Sequence, residues 1–166
     1  MHVTRKTAMT AAGIALATGA VLSSAGTAQA AGISMGSPAF YDTGNCPCPL
    51  DDYHDDTLFK HDAGGKAAKA FLYKGGVTGK VEFHPYNEEI WLYDTKSDGD
   101  TFYVRYLYHV IIDDIPKPRW SGWYGPGNGG GPTIDASFDE GTPVTVVIYD
   151  AKGDESSRIG SFTARA

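Results

Sequence analysis

The stretch Thr101-Phe-Tyr-Val-Arg-Tyr-Leu-Tyr-His-Val-Ile-Ile-Asp113 decides the fold class of this chain. Every second residue within it is aromatic or aliphatic: Phe102, Val104, Tyr106, Tyr108, Val110 and Ile112. Alternate residues of a strand lie on one face of a sheet, so this period of two predicts a long, half-buried β-strand. After residue 30 we find no segment with a convincing helical period.

Seven shorter segments with strand character flank this one, separated by glycine, proline and aspartate. They are 71–73, 80–84, 88–94, 119–124, 133–138, 143–149 and 158–163. About eight short strands joined by turns predict an all-β fold, an antiparallel β-sandwich, with an open barrel as the alternative. Segments 88–94 and 101–108 are predicted to form a hairpin, because Asp98-Gly99 between them tolerates the positive φ angles of a tight turn.

The first thirty residues have the three-part pattern of a secretory signal peptide. Arg5 and Lys6 precede an uncharged stretch, residues 7–22, and a run of small residues ends at Ala30. The stretch is short and weakly hydrophobic for a membrane span, which needs about 20 strongly apolar residues. We therefore expect cleavage near Ala30, a secreted, extracellular protein, and no membrane span.

Composition changes near residue 70. Residues 31–69 are rich in small, polar and charged residues with isolated aromatic side chains, which predicts an extended or disordered N-terminal arm. The predicted organisation is a signal peptide (1–30), an arm (31–69) and a β-sandwich domain (70–166). The formal net charge of −6 argues against nucleic acids and anionic membranes as partners, since both would repel the protein.

Cys46 and Cys48 are the two cysteines of the chain. In an oxidising compartment we expect them to form a disulfide, with each other or with a partner's cysteines. A less favoured alternative combines them with His54 and His61 as ligands of zinc or copper. Apart from that alternative, the sequence indicates no cofactor.

No catalytic constellation is recognisable in the sequence. The chain has no Gly-x-Ser-x-Gly motif, and His109 lies within the long predicted strand. Residues 94–100 resemble the start of an EF-hand loop, but Lys96 and Arg105 stand at ligand positions and oppose a cation. We therefore expect that the protein is not an enzyme.

Scattered aromatic residues and the cysteines predict the contact surfaces. The predicted partner-binding residues of the arm are Phe40, Tyr41, Cys46, Cys48, Tyr53 and Phe59. Trp120, Trp123 and Tyr124 form a second candidate surface, and they equally suit the core of a sandwich without disulfides. An arm that orders on binding favours a non-enzymatic adaptor or interaction protein. A carbohydrate- or surface-binding module and a metal-binding protein are the alternatives.

Four segments carry a resemblance to a known group: Gly79-Lys-Val-Glu-Phe-His84, Tyr93-Asp-Thr-Lys-Ser-Asp-Gly99, Tyr103-Val-Arg-Tyr106 and Phe138-Asp-Glu-Gly-Thr142. Over about residues 79–150 the chain resembles small secreted actinobacterial β-sandwich proteins, and within them the adaptor subunit of Streptomyces umbrella toxin particles. The resemblance implies secreted protein partners, a large repeat-containing toxin and a lectin-like subunit. It implies no catalytic residue.

Overall fold

The computed structural model describes residues 32–49, 58–96, 99–127 and 133–166. The predicted signal peptide lies outside these residues, as do Tyr53, His54 and Asp98 of the predicted Asp98-Gly99 turn. The strands within them are β1 (Ser34–Met35), β2 (Ala39–Asp42), β3 (Cys48–Pro49), β4 (Leu58–Phe59), β5 (Lys66–Tyr73), β6 (Val77–His84), β7 (Glu89–Asp94), β8 (Tyr103–Ile112), β9 (Ile115–Trp120), β10 (Thr133–Asp135), β11 (Pro143–Tyr149) and β12 (Arg158–Arg165). Three short 3-10 turns accompany them, at Thr43–Asn45, Pro85–Asn87 and Glu155–Ser157. Across these ranges we find no helix with the length and apolar character that a membrane crossing requires.

Ten of the strands form one antiparallel sheet in the order β10-β7-β6-β5-β12-β11-β8-β9, and β1 and β2 pair with β5. The remaining two, β3 and β4, pair with each other. The all-β antiparallel fold predicted from the period-two pattern is therefore confirmed. Seven of the eight predicted strand segments correspond to β5–β8 and β10–β12, the predicted segment 119–124 overlaps β9 only at Arg119 and Trp120, and β1 to β4 come from the segment predicted as an arm.

The sheet curls around a single apolar core, and Phe138 shows the curvature. Its ring lies 6.2 Å from that of Phe83 on β6 and 5.5 Å from that of Tyr106 on β8. Four strand spacings separate β6 from β8, which would be about 19 Å in a flat sheet. The two halves of the sheet therefore face each other across the core, as the sheets of a sandwich do.

The inward face is built from alternate residues of the long strands. On β8, Val104 and Tyr106 are buried, which confirms the predicted inward face at that end of the strand. Gly79 on β6 is the small residue that lets the halves approach. A Cβ atom there would lie 2.7 Å from Cε1 of Phe102, whose side chain is 1% exposed. Each large apolar side chain buried in this way contributes about 1.5–3 kcal/mol.

The outward face of β6 is also buried, and this differs from the usual half-solvated strand. Thr78, Lys80, Glu82 and His84 occupy that face, and each is at most 7% exposed. Different elements cover this face: Phe59 on β4 is fully buried and lies 4.7 Å from the His84 ring, and the Tyr93 ring on β7 lies 4.2 Å from the Lys80 ammonium. Phe59 also packs with Cys46 and Ala67 in a second, smaller apolar cluster.

The structure corrects two predictions about chain organisation. The predicted hairpin between 88–94 and 101–108 is wrong, because β7 pairs with β6 and β10, whereas β8 pairs with β9 and β11. The predicted boundary between arm and domain at residues 69 and 70 lies inside β5. The described part of the arm joins the sheet through β1 and β2, since its backbone groups find partners on β5 rather than in water.

Candidate functional site

The hairpin formed by β8 and β9 extends beyond the rest of the sheet. The two strands pair from Leu107↔Trp120 to Ile112↔Ile115. β11, the other neighbour of β8, pairs with it only over Tyr103–Leu107. Beyond Leu107, β8 therefore has only β9 as a strand partner among the described residues. We call residues 108–120 the distal hairpin.

A two-residue turn, Asp113-Asp114, closes the distal hairpin. Both residues have positive φ angles, 52° and 59°, as the type I′ turn of a twisted hairpin requires. Aspartate reaches this region more readily than most residues do, although less readily than glycine. Asp113-Asp114 lies between two apolar segments of the sequence and could have indicated this turn. The Asp98-Gly99 pair is the stronger turn signal, but it indicated a hairpin that does not form.

The distal hairpin exposes large apolar side chains on both of its faces. Ile111 is 66% exposed, Ile115 52% and Trp120 48%, and Ile112 at the turn is 39% exposed. Paired residues share a face, so Ile112 and Ile115 lie on one face, and Ile111 and Trp120 on the other. All six residues of β9 are exposed.

Prolines protect the outer edge of β9. In a hairpin closed by a two-residue turn, the pair that flanks the turn is hydrogen-bonded and the next pair is not. Pro116 and Pro118 lie at the non-hydrogen-bonded positions, so their nitrogens face the free edge and carry no hydrogen. Strand addition along this edge would lack two donors, and contacts with a partner would have to come from side chains.

Arg105 holds the base of the distal hairpin. Its guanidinium lies 4.9 Å from the ring of Trp120 and 5.2 Å from the ring of Trp123. It also pairs with Glu155 at 2.6 Å and donates from Nε to the Ser121 carbonyl. The Trp120 ring is therefore held in place while almost half of it stays in contact with solvent, which lowers the entropy cost of using it in binding.

The three aromatic residues predicted as one surface occupy different environments. Trp120 is exposed, whereas Trp123 is partly buried and packs 4.7 Å from the Tyr149 ring. Tyr124 bridges to Val104 through its backbone and stacks on Tyr106 at 6.1 Å. Burial raises the pKa of Tyr106 to about 12, and the adjacent Tyr124 adds to the effect.

The predicted partner-binding residues of the arm are largely engaged within this chain. Phe59 is fully buried, so its ring is not presented to a partner as predicted, and Tyr41 is partly buried with its ring 5.2 Å from that of Phe59. Cys46 and Cys48 form a disulfide with each other. Phe40 is 42% exposed, with the Lys66 ammonium 4.7 Å from its ring.

The disulfide also corrects the alternative metal set. Cys46 and Cys48 supply no thiolate when they are bonded to each other, and His61 is exposed. Within the ranges that the structure describes, no three histidine, cysteine, aspartate or glutamate side chains are grouped so as to hold a metal ion.

Sequence reasoning missed a buried polar row on β6. Glu82 accepts from the Lys80 ammonium at 3.1 Å through Oε1 and lies 3.0 Å from Nε2 of His84 through Oε2. The alternation 80–84 indicated a solvated outer face, and residues remote in sequence bury it instead. The presence of both a lysine and a histidine two residues from one glutamate was the available signal.

Comparisons with known protein families, with curated proteins and with solved structures found no match to this chain.

Proposed function

We propose that this protein is a secreted, non-enzymatic interaction protein that binds another secreted protein through its distal hairpin. One observation carries the proposal: a two-stranded extension of the sheet exposes Ile112 and Ile115 on one face and Ile111 and Trp120 on the other. Single exposed apolar side chains are ordinary, but several on one projecting element are typical of a binding surface.

The composition of the distal hairpin suits a protein partner. Tryptophan is enriched among residues that dominate binding energy, and Trp120 is already positioned by Arg105. Lys117 and Arg119 are exposed on the same face as Ile112 and Ile115. The complementary surface is therefore an apolar groove with acidic side chains at its rim.

A different protein is a better partner than a second copy of this chain. The chain carries a formal net charge of −6, so two copies repel each other. Pro116 and Pro118 also disfavour edge-to-edge pairing of two β9 strands. An adaptor role in an extracellular toxin complex, as the resemblance implies, remains a prediction and would require a second contact surface.

The experiment is a quantitative pull-down from culture supernatant of the producing organism, with the purified protein as bait. We expect a retained secreted protein whose affinity falls at least about ten-fold with Ile115→Asp or Trp120→Ala. Leu58→Asp is the matched control, because Leu58 is 50% exposed and lies on β4.

Two results would contradict the proposal. One is recovery of the bait only as a free monomer under gentle conditions. The other is a retained protein that binds Ile115→Asp as well as it binds the unchanged chain. A dimer in light scattering that Ile115→Asp dissociates would assign the distal hairpin to a second copy instead.

Sugar binding by the tryptophans is the second candidate function, and the exposed ring of Trp120 favours it. The rings of Trp123 and Tyr124 already pack against Tyr149 and Tyr106, which leaves less aromatic surface for a sugar. A glycan array probed with the protein and with Trp120→Ala separates the two functions, because a protein-binding hairpin would show no glycan signal that depends on Trp120.

A further inference from the structure

A shallow cleft of about 70 Å³, open to solvent, lies where β4 passes beside the end of β6 and the start of β7. Its lining includes Lys60, His84, Tyr86, Asn87, Glu89 and Trp91. The cleft shares no residue with the distal hairpin. Its volume is below that of sites that enclose a small molecule, which begin at about 300 Å³, so a ligand here would lie partly in solvent.

Aromatic rings form the walls of this cleft. His84 stacks on Trp91, with centroids 4.3 Å apart and planes 26° from parallel. Phe59 supports His84 from the side of β4. Tyr86 is 53% exposed, and the Lys60 ammonium lies 4.8 Å from its ring. Flat rings of this kind pack against the C–H face of a pyranose.

Polar groups at the same cleft have unused hydrogen-bonding capacity. Oε2 of Glu89 accepts from Nε1 of Trp91 at 2.7 Å, which fixes the carboxylate, and Oε1 has a long contact of 3.5 Å with Nδ2 of Asn87. Each carboxylate oxygen accepts two hydrogens, and the Asn87 amide both donates and accepts. Hydroxyl groups, which donate and accept, match this mixture.

The cleft carries one basic and one acidic side chain, Lys60 and Glu89, so it has no net preference for an anion or a cation. We propose that the cleft binds a single neutral sugar ring, with the ring packed on Tyr86 and vicinal hydroxyls bonded to Glu89. This inference stands apart from the proposed protein partner, because the two sites lie on different elements.

The test is a glycan array that carries neutral, sulfated and sialylated oligosaccharides, followed by calorimetry with the strongest soluble neutral oligosaccharide. We expect binding of a neutral glycan whose Kd rises at least about ten-fold in Tyr86→Ala and in Glu89→Gln. Glutamine retains an acceptor for Nε1 of Trp91, so Glu89→Gln leaves the local packing intact. The matched control is Tyr73→Ala, since Tyr73 is 38% exposed outside the cleft and should keep Kd within about two-fold.

Thermal melting of each variant checks that it is folded. The proposal is overturned if no neutral glycan binds at millimolar concentration, or if sulfated or sialylated glycans bind more tightly. It is also overturned if Tyr86→Ala and Tyr73→Ala bind equally well. Loss of binding in Trp120→Ala with retention in Tyr86→Ala would place the sugar at the distal hairpin instead.

Discussion

Lys80 on β6 and Lys117 on β9 are both strand lysines, yet Lys80 is fully buried and Lys117 is exposed. β6 lies between β5 and β7, and Phe59 of β4 packs over its outer face. β9 is an edge strand with β8 as its one neighbour in the sheet order. The same residue type therefore belongs to the stable interior in one region and to a contact surface in the other, and the position of the strand decides which.

The largest expected effect compares these two lysines directly. Lys80→Ala leaves the Glu82 carboxylate buried without its ammonium partner, which should lower the free energy of unfolding by about 3–5 kcal/mol. Lys117→Ala should change it by less than about 0.5 kcal/mol. Urea denaturation measures both. Similar values for the two variants would refute the contrast between the regions.

The next effect compares two phenylalanines of the predicted arm. Phe59→Ala should cost about 3 kcal/mol, because it opens a cavity beside His84 and Tyr41. Phe40→Ala should cost less than about 1 kcal/mol, because Phe40 is 42% exposed. If the two variants unfold at the same urea concentration, β4 does not stabilise the sheet as described.

A smaller effect depends on pH. The pKa of Tyr106 is raised to about 12 by burial and by Tyr124, from an ordinary value of 10.0. The unfolded chain therefore loses this proton first, so the stability linked to Tyr106 is complete below pH 10 and is lost as the pH rises toward 12. The slope from one proton is below about 1.4 kcal/mol per pH unit.

The measurement is the urea midpoint at several pH values between 9 and 12. Tyr106→Phe should flatten the decline, whereas Tyr73→Phe should not, because Tyr73 is partly exposed on β5. An unchanged slope in Tyr106→Phe would show that other groups cause the decline.

The smallest effect concerns the turn of the distal hairpin. Asp114 has a φ of 59°, so Asp114→Gly should raise the free energy of unfolding by about 0.5 kcal/mol and Asp114→Ala should lower it. Neither change alters Ile111, Ile115 or Trp120, so both variants should retain the partner. Equal thermal midpoints for glycine and alanine would argue against the type I′ turn.

Local patterns predicted the strands well and their pairing poorly. The alternation in 102–112 and 143–149 is a property of neighbouring residues, and β8 and β11 lie where it indicates. Whether β8 pairs with β7 or with β11 depends on contacts between residues that are distant in sequence. The Asp98-Gly99 signal was a local preference, and the long-range pairing of β8 with β11 overrode it.

The candidate site was predictable in part for the same reason. Trp120 was predicted as part of a candidate contact surface on the strand segment 119–124, but its exposure follows from the edge position of β9. The sequence alternation in 80–84 places Lys80, Glu82 and His84 on one face of the predicted strand. Their burial depends on other elements, with Phe59 of β4 against His84 and Tyr93 of β7 beside Lys80, and Leu58-Phe59 is too short to show a period.

The sequence alone determined that this chain is all-β, because side-chain alternation along a strand is set by backbone geometry within a few residues. The tertiary structure decided which outer faces are covered. His84 at the end of β6 is covered by Phe59, which also packs with Tyr41 and Cys46, so this contact depends on residues that are distant in sequence rather than on a local motif. The exposure of the distal hairpin follows from the same assembly, since β11 ends its pairing at Leu107.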